Sequence, residues 1–220
     1  MSDPAPPSGS TEFAALHAHL QRVYGLDQAV TLDIRPFLVD DEALEQLRPP
    51  GTDRPADEWV LVRQSDAGLD LAVWIDQVHL DALADAPDAP SVVRTSLRSF
   101  CAAIEGISHF MLLVERARRD EPLTLLELEV QAEIDKFVSA ILHCPGREPA
   151  LMHALFTEVE LHEGLTAIER SRYREAGRLA RGWCDHLSSL PHLGALLAAQ
   201  RRWWRSPGSQ RMAQLRAMAA

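Results

Sequence analysis

Apolar residues recur at helical spacing over 11–24, where Phe13, Leu16, Leu20 and Val23 share one face and Gly25 follows as a stop. The pattern then changes. In VTLDIRPFLV, Leu32 and Ile34 alternate with Asp33 and Arg35 until Pro36 interrupts, which predicts a short edge strand. DDEALEQL predicts a short helix halted by Pro49, Pro50 and Gly51, and 51–57 reads as loop. Over 59–75 the period is two. Val60 and Val62 alternate with Leu61 and Arg63, then Leu69, Leu71, Val73 and Ile75 with Asp70, Ala72 and Trp74. SDAG lies between the two runs, so the segment predicts a β-hairpin with Gly68 at the left-handed turn position. An isolated hairpin is marginal and needs a third strand or a helix over it. Asp76 predicts an N-cap for a helix to about Ala84, and APDAP at 86–90 reads as a hinge or linker.

Beyond residue 90 the period is helical. The expected helices run from about Ser91 to Arg118, from Thr124 to just before Pro145, from Pro149 to about Leu187 with Gly164 as the weakest point, and from Pro191 to Trp204. Thr124-x-x-Glu127 is a capping box, and SPG at 206–208 sets off a short last helix. The expected fold class is α+β, predominantly helical. A small N-terminal part (11–88), a hairpin and edge-strand sheet with helices, packs on a C-terminal helical bundle (91–205). A disordered tail (1–10) precedes them and a tail helix (206–220) follows.

Polar residues inside this apolar frame carry the candidate chemistry. From Phe100 to Val114 the helix is apolar nearly all round, which predicts a central, buried helix, yet it holds Glu105 and His109 one turn apart. A lone ionised carboxylate there costs several kcal/mol, so it must be paired, protonated or metal-bound. The next helix offers Glu129 and Glu133 at the same spacing, and EVELH adds Glu158 and His162. Six such carboxylates and imidazoles from three helices are about the inventory of a dinuclear iron or manganese centre. Ferritin-like proteins build theirs on Glu-x-x-His, however, and both pairs here are Glu-x-x-x-His. The plainer interpretation is a structural pair at Glu105/His109, with Glu129 and Glu133 facing water beside Lys136.

Composition narrows the field. The chain has 220 residues, enough for one large domain or two small ones. Its three cysteines, Cys101, Cys144 and Cys184, show no framework spacing, and the polar, Pro-rich start MSDPAPPSGS reads as a tail rather than a signal peptide. No run reaches the roughly 18 apolar residues of a membrane span, so the expected location is cytoplasmic. Lys136 is the sole lysine; with abundant alanine, the arginine bias fits a GC-rich bacterial coding sequence. The net charge of −10 disfavours general nucleic-acid binding. Its distribution is uneven, with residues 169–220 carrying +7 and residues 1–168 therefore −17.

Arg170, Arg174, Arg178 and Arg181 flank an apolar face of Tyr173, Ala176, Leu179, Ala180 and Trp183, a candidate stripe for an acidic protein partner or an anionic ligand. A solvated helix face is the plainer interpretation. The tryptophans of RRWWR at 201–205 are expected to close the end of the bundle, with arginine stems over the rings. His143–Cys144 and Cys184-x-His186 supply zinc-type ligands without zinc-finger spacing. Phosphate-loop, dinucleotide, nucleophile-elbow and His-Glu-x-x-His motifs are absent. The expected function is that of a non-catalytic interaction or accessory protein, with a homodimer as one form. It would need no cofactor. The alternative is a metal-dependent helical-bundle enzyme of oxidoreductase type using iron or manganese.

Overall fold

The computed structural model describes residues 7–27, 32–49, 52, 55–65, 68–159, 161 and 164–219. Of the disordered tail expected at 1–10, residues 1–6 lie outside these residues, as does the tip of the hairpin at 66–67. The rest of the tail is corrected: Gly9 and Ser10 are buried, Gly9 lies against the Leu80 backbone, and the first helix already starts at Ser10. The first helix, α1 (Ser10–Tyr24), ends at Gly25, whose φ of 66° supplies the left-handed cap. α2 (Asp41–Leu47) begins at the Asp40 N-cap. Two antiparallel strands, β1 (Glu58–Ser65) and β2 (Gly68–Ile75), pair in the register Trp59↔Trp74 through Ser65↔Gly68. α3 (Gln77–Ala84) follows the Asp76 cap as expected. The fold is predominantly helical α+β.

The edge strand expected around Val30–Val39 is corrected. Arg35–Phe37 is a single 3-10 turn, and the third strand shrinks to one parallel bridge, Leu38↔Val73. Pro36 presets a helical φ, and the Asp33 carboxylate accepts the Arg35 backbone N–H at 3.0 Å, so local turn chemistry outweighs the brief alternation. The cover the hairpin needs comes mainly from a helix. α5 (Leu97–Arg118) crosses it at Gly106, where a Cβ would lie 2.8 Å from Ile75 Cδ1; the missing side chain lets the sheet approach.

Two further expectations are corrected. The connection expected over APDAP ends early: residues 85–88 link α3 to the next helix, but Asp88 accepts the Ser91 N–H at 2.8 Å and Pro90 sits in the first turn, so α4 (Ala89–Thr95) starts inside the segment. The helix expected from Ser91 to Arg118 breaks at Ser96 (φ −145°, ψ 55°), where the Thr95 hydroxyl back-bonds to the Ser91 carbonyl. α6 (Leu125–His143) opens with the expected capping box, both halves formed. The long helix expected from Pro149 to Leu187 is two, α7 (Glu148–Phe156) and α8 (Ala167–Ser188). A second capping box, Thr166 with Glu169, starts α8 and gives the physical reason for the break. α9 (Leu193–Arg205) and α10 (Gly208–Met218) complete the chain.

One apolar core runs from Phe13 and Leu20 of α1 through Phe100, Ile104, Ile107 and Phe110 of α5 to Ile134 and Phe137 of α6 and Leu179 of α8. α5 lies at its centre. Alone among the described helices it has the length and hydropathy to cross a membrane, but 67% of that window is buried against protein. A polar network threads the same core. Asp135 accepts hydrogen bonds from the Tyr24 hydroxyl, from Ser108 at 2.7 Å and from Gln131 at 3.2 Å. Trp203 and Arg211 donate to Gln131, and Trp183 to Gln200, which itself reaches Tyr24. Trp203 stacks on Trp183 with centroids 4.6 Å apart, so the tryptophans do close the bundle end. The cation over Trp203 is Arg211 of α10, not an arginine of the RRWWR run.

Candidate metal centre

α5 and α6 pack side by side, and their one-turn pairs meet. Ligating atoms of Glu105, His109 and Glu129 lie within 4.8 Å of one another. His109 is only 8% exposed. Its Nε2 stands 3.7 Å from Glu129 Oε2 and has no hydrogen-bond partner; its Nδ1 stands 3.8 Å from Glu58 Oε1, on β1. Glu58 Oε2 is likewise buried and unpartnered. Arg172 of α8 reaches Glu129 Oε1 at 3.3 Å. The Lys136 ammonium bridges Glu105 Oε2 at 2.9 Å and Glu133 Oε1 at 2.7 Å.

The electrostatics follow from this crowding. Burial pushes Glu129 up to about 7; Glu105 and Glu58 add to the rise while His109 and Arg172 oppose it. Burial acts to lower His109, but the carboxylates of Glu58, Glu129 and Glu105 outweigh it and raise the imidazole to about 9. Burial also raises Lys136's neighbour Glu133, whereas Lys136 and His109 hold Glu105 below the ordinary range. Burial raises Tyr173 of α8, and the charges of Glu129, Glu105 and Glu58 add to the rise.

Four of the six residues proposed from sequence therefore gather here, but not as a dinuclear set. Glu105, His109 and Glu129 converge, while Glu133 is held at the far side of Lys136. Glu158 lies past the end of α7, exposed and paired with His153 at 3.1 Å, because the helix meant to carry it stops at Phe156. His162 lies outside the described residues. Glu129 does not face water, and Lys136 is buried rather than a surface bystander. Glu58 and Arg172 escaped the sequence reading. Strand parity could have found Glu58: it shares a face with Val60, which packs on the core.

Other candidates disperse. Cys144 Sγ bonds the Pro90 carbonyl at 3.6 Å and His143 stacks on His19, while Cys184 is buried and His186 lies against Trp183; the two zinc-type pairs do not meet. A cavity of about 700 Å³ is lined by residues including Arg48, Trp59, Trp74, His79 and Arg98. At its wall Asp57 takes a bidentate pair from Arg98 and lies 3.1 Å from His79 Nε2, while Ser99 Oγ lies 3.0 Å from Nδ1. This is no nucleophile triad. Ser99 is buried on the inner side of His79, and it is Asp57 that faces the cavity. Along α8, Arg174, Arg178 and Arg181 are exposed, but Glu175 pairs with Arg178 at 2.9 Å and Asp185 lies 3.9 Å from Arg181. Arg170 turns back to the Leu165 carbonyl at 3.2 Å.

Comparison with protein-family models, with curated proteins and with solved structures returned no match.

Proposed function

We propose that this chain binds one divalent first-row metal ion between α5 and α6. Glu105, His109 and Glu129 are the ligands, and Glu58 orients the imidazole from its Nδ1 side. The observation that carries the reading is His109 Nε2, buried, without a hydrogen-bond partner and directed at Glu129. An unsatisfied buried polar atom costs about 1–3 kcal/mol, so it calls for a partner. Ligands about 2.1 Å from one ion stand about 3–4 Å apart, so atoms now within 4.8 Å of one another need to close by at most about 1–2 Å. A carboxylate on the second nitrogen of a metal-bound histidine is the usual orienting device.

Charge supports the same reading. Glu58, Glu105, Glu129 and Glu133 bring four negative charges against the two of Lys136 and Arg172. With His109 neutral, as a ligand must be, a divalent ion balances the remainder. One imidazole with carboxylates and no thiolate suits manganese, iron(II) or zinc. The test is elemental analysis of the purified protein, then titration of the chelator-stripped protein with Mn²⁺, Fe²⁺ and Zn²⁺. The reading expects about one ion per chain, lost in Glu129→Gln, and a melting temperature that rises with metal, since a ligand at 100 times its Kd adds about 2.7 kcal/mol. No bound ion and no thermal response to any of the three would overturn it.

The exposure of Arg174, Arg178 and Arg181 on one helix supports a second reading, an interaction protein that docks an acidic partner on α8. Such binding should weaken steeply with salt, because exposed charges are screened over about 8 Å at physiological ionic strength. Binding indifferent both to salt and to reversal of these arginines to Glu would exclude the stripe.

A further inference from the structure

The Glu105–Lys136–Glu133 bridge asks why a bundle that uses arginine everywhere else buries its sole lysine at this point. We infer that the Lys136 ammonium is a built-in cation holding the second cation position of the carboxylate cluster, so that the centre admits one metal ion and not a pair. This deepens the metal-binding reading, on which its stoichiometry rests.

Geometry is the first support. Nζ lies 2.9 Å from Glu105 and 2.7 Å from Glu133, one carboxylate from each of two facing helices, as a metal ion between them would. Glu105 is therefore shared. One side of its carboxylate serves Lys136, and the residue also belongs to the group it forms with His109 and Glu129. That is the position of a bridging carboxylate between two cations. The second support is the choice of side chain. An ammonium is a compact point charge with donors on all sides, whereas a guanidinium is a flat fork that demands bidentate partners in its plane. The former matches a spherical ion among oxygens from different helices more closely, although either side chain brings the charge. The third is charge: without Lys136 the cluster would hold four carboxylates against Arg172 alone, enough to call for further positive charge.

The experiment measures manganese stoichiometry by equilibrium dialysis and elemental analysis on metal-stripped wild type, Lys136→Ala, Lys136→Gln and Lys136→Arg. The inference expects Lys136→Ala and Lys136→Gln to take up one Mn²⁺ per chain more than wild type, and Lys136→Arg, which keeps the charge, to take up no more. Lys136→Gln retains an amide able to hydrogen-bond a carboxylate and to serve as an oxygen ligand, so it covers the case in which Lys136→Ala does not fold without metal. Refolding of Lys136→Ala should then require Mn²⁺. Equal stoichiometry in folded Lys136→Gln and wild type overturns the inference. Wild type at zero with Lys136→Gln at one overturns the single-ion reading of Glu105, His109 and Glu129 but leaves the role of Lys136 standing. Wild type at one with Lys136→Gln at one does the reverse.

Discussion

Replacing Tyr24 by Phe removes one buried oxygen and leaves the ring, which packs on Trp204 with centroids 4.1 Å apart. That oxygen makes three connections: it donates to Asp135 and accepts from Gln131 at 2.6 Å and Gln200 at 3.2 Å. A hydrogen bond to a charged group contributes about 1.5–3 kcal/mol, and leaving the Gln200 amide short of its acceptor costs about 1–3 kcal/mol more. Gln131 keeps Asp135 as an alternative acceptor at 3.2 Å, so its share is smaller. We expect a loss of about 3 kcal/mol, well above the roughly 1 kcal/mol of an average substitution. In a chain of this size that lowers the melting temperature by about 6–12 °C.

The pH dependence of the loss tests the reasoning more sharply. Burial raises Asp135 to about 6 in the folded state, even though Ser108, Tyr24 and Gln131 donate to it. A carboxyl whose folded pKa lies above its unfolded value favours the fold below the unfolded value and loses that contribution as pH rises through about 6. Without the Tyr24 donor the folded pKa climbs further, so the stability gap between wild type and Tyr24→Phe should widen from pH 5 to pH 8. Urea denaturation followed by circular dichroism at both values measures it. A gap under about 0.5 kcal/mol, the range of surface changes, or one that narrows toward pH 8, would refute the network as drawn.

Gly9→Ala should destabilise more than its place near the N-terminus suggests. A left-handed φ of 76° costs about 1–2 kcal/mol for any other residue, and the new Cβ would also collide with the Leu80 backbone carbonyl; an unchanged urea midpoint would contradict both arguments. For Asp57, burial acts to raise the carboxyl, but His79 and Arg98 outweigh it and hold it well below the usual carboxylate range. Its contribution is therefore present above the unfolded pKa of about 3.9 and is lost as pH falls below it. The stability difference between wild type and Asp57→Asn should accordingly shrink between pH 5 and pH 2, as chemical denaturation across that range would show.

Much of the fold was legible because local signals and burial agreed. Gly25, Asp76 and Thr124 each marked an end with a known backbone mechanism, and the period-two run at 59–75 admitted only a hairpin. Errors arose where a short apolar pattern competed with turn chemistry, at Pro36 and at Asp88–Pro90, and where Thr166-x-x-Glu169 went unread although Thr124-x-x-Glu127 was read. The site was half legible. Helical spacing pairs Glu105 with His109 and Glu129 with Glu133, since i and i+4 share a face whatever the tertiary fold. Glu58 and Arg172 arrive from a distant strand and helix, and helical period carries no information about such approaches.

α6 also shows why the two buried polar systems should act separately. At 100° per residue, Glu129, Glu133 and Lys136 fall within about 60° of one another, whereas Gln131 and Asp135 lie on the opposite side, with Val130, Ile134 and Phe137 between. One face confronts the Glu105 and His109 side of α5, the other the Tyr24, Ser108 and Trp203 network, and the apolar residues insulate them. Substitutions with no shared partner add to within about 0.3–0.5 kcal/mol. In metal-free protein the double variant Tyr24→Phe/Glu129→Gln should therefore lose the sum of the single losses, and Tyr24→Phe should leave manganese affinity unchanged. A coupling above about 1 kcal/mol, or a weakened metal site in Tyr24→Phe, would mean that α6 transmits between its faces and that the network belongs to the centre rather than to the scaffold.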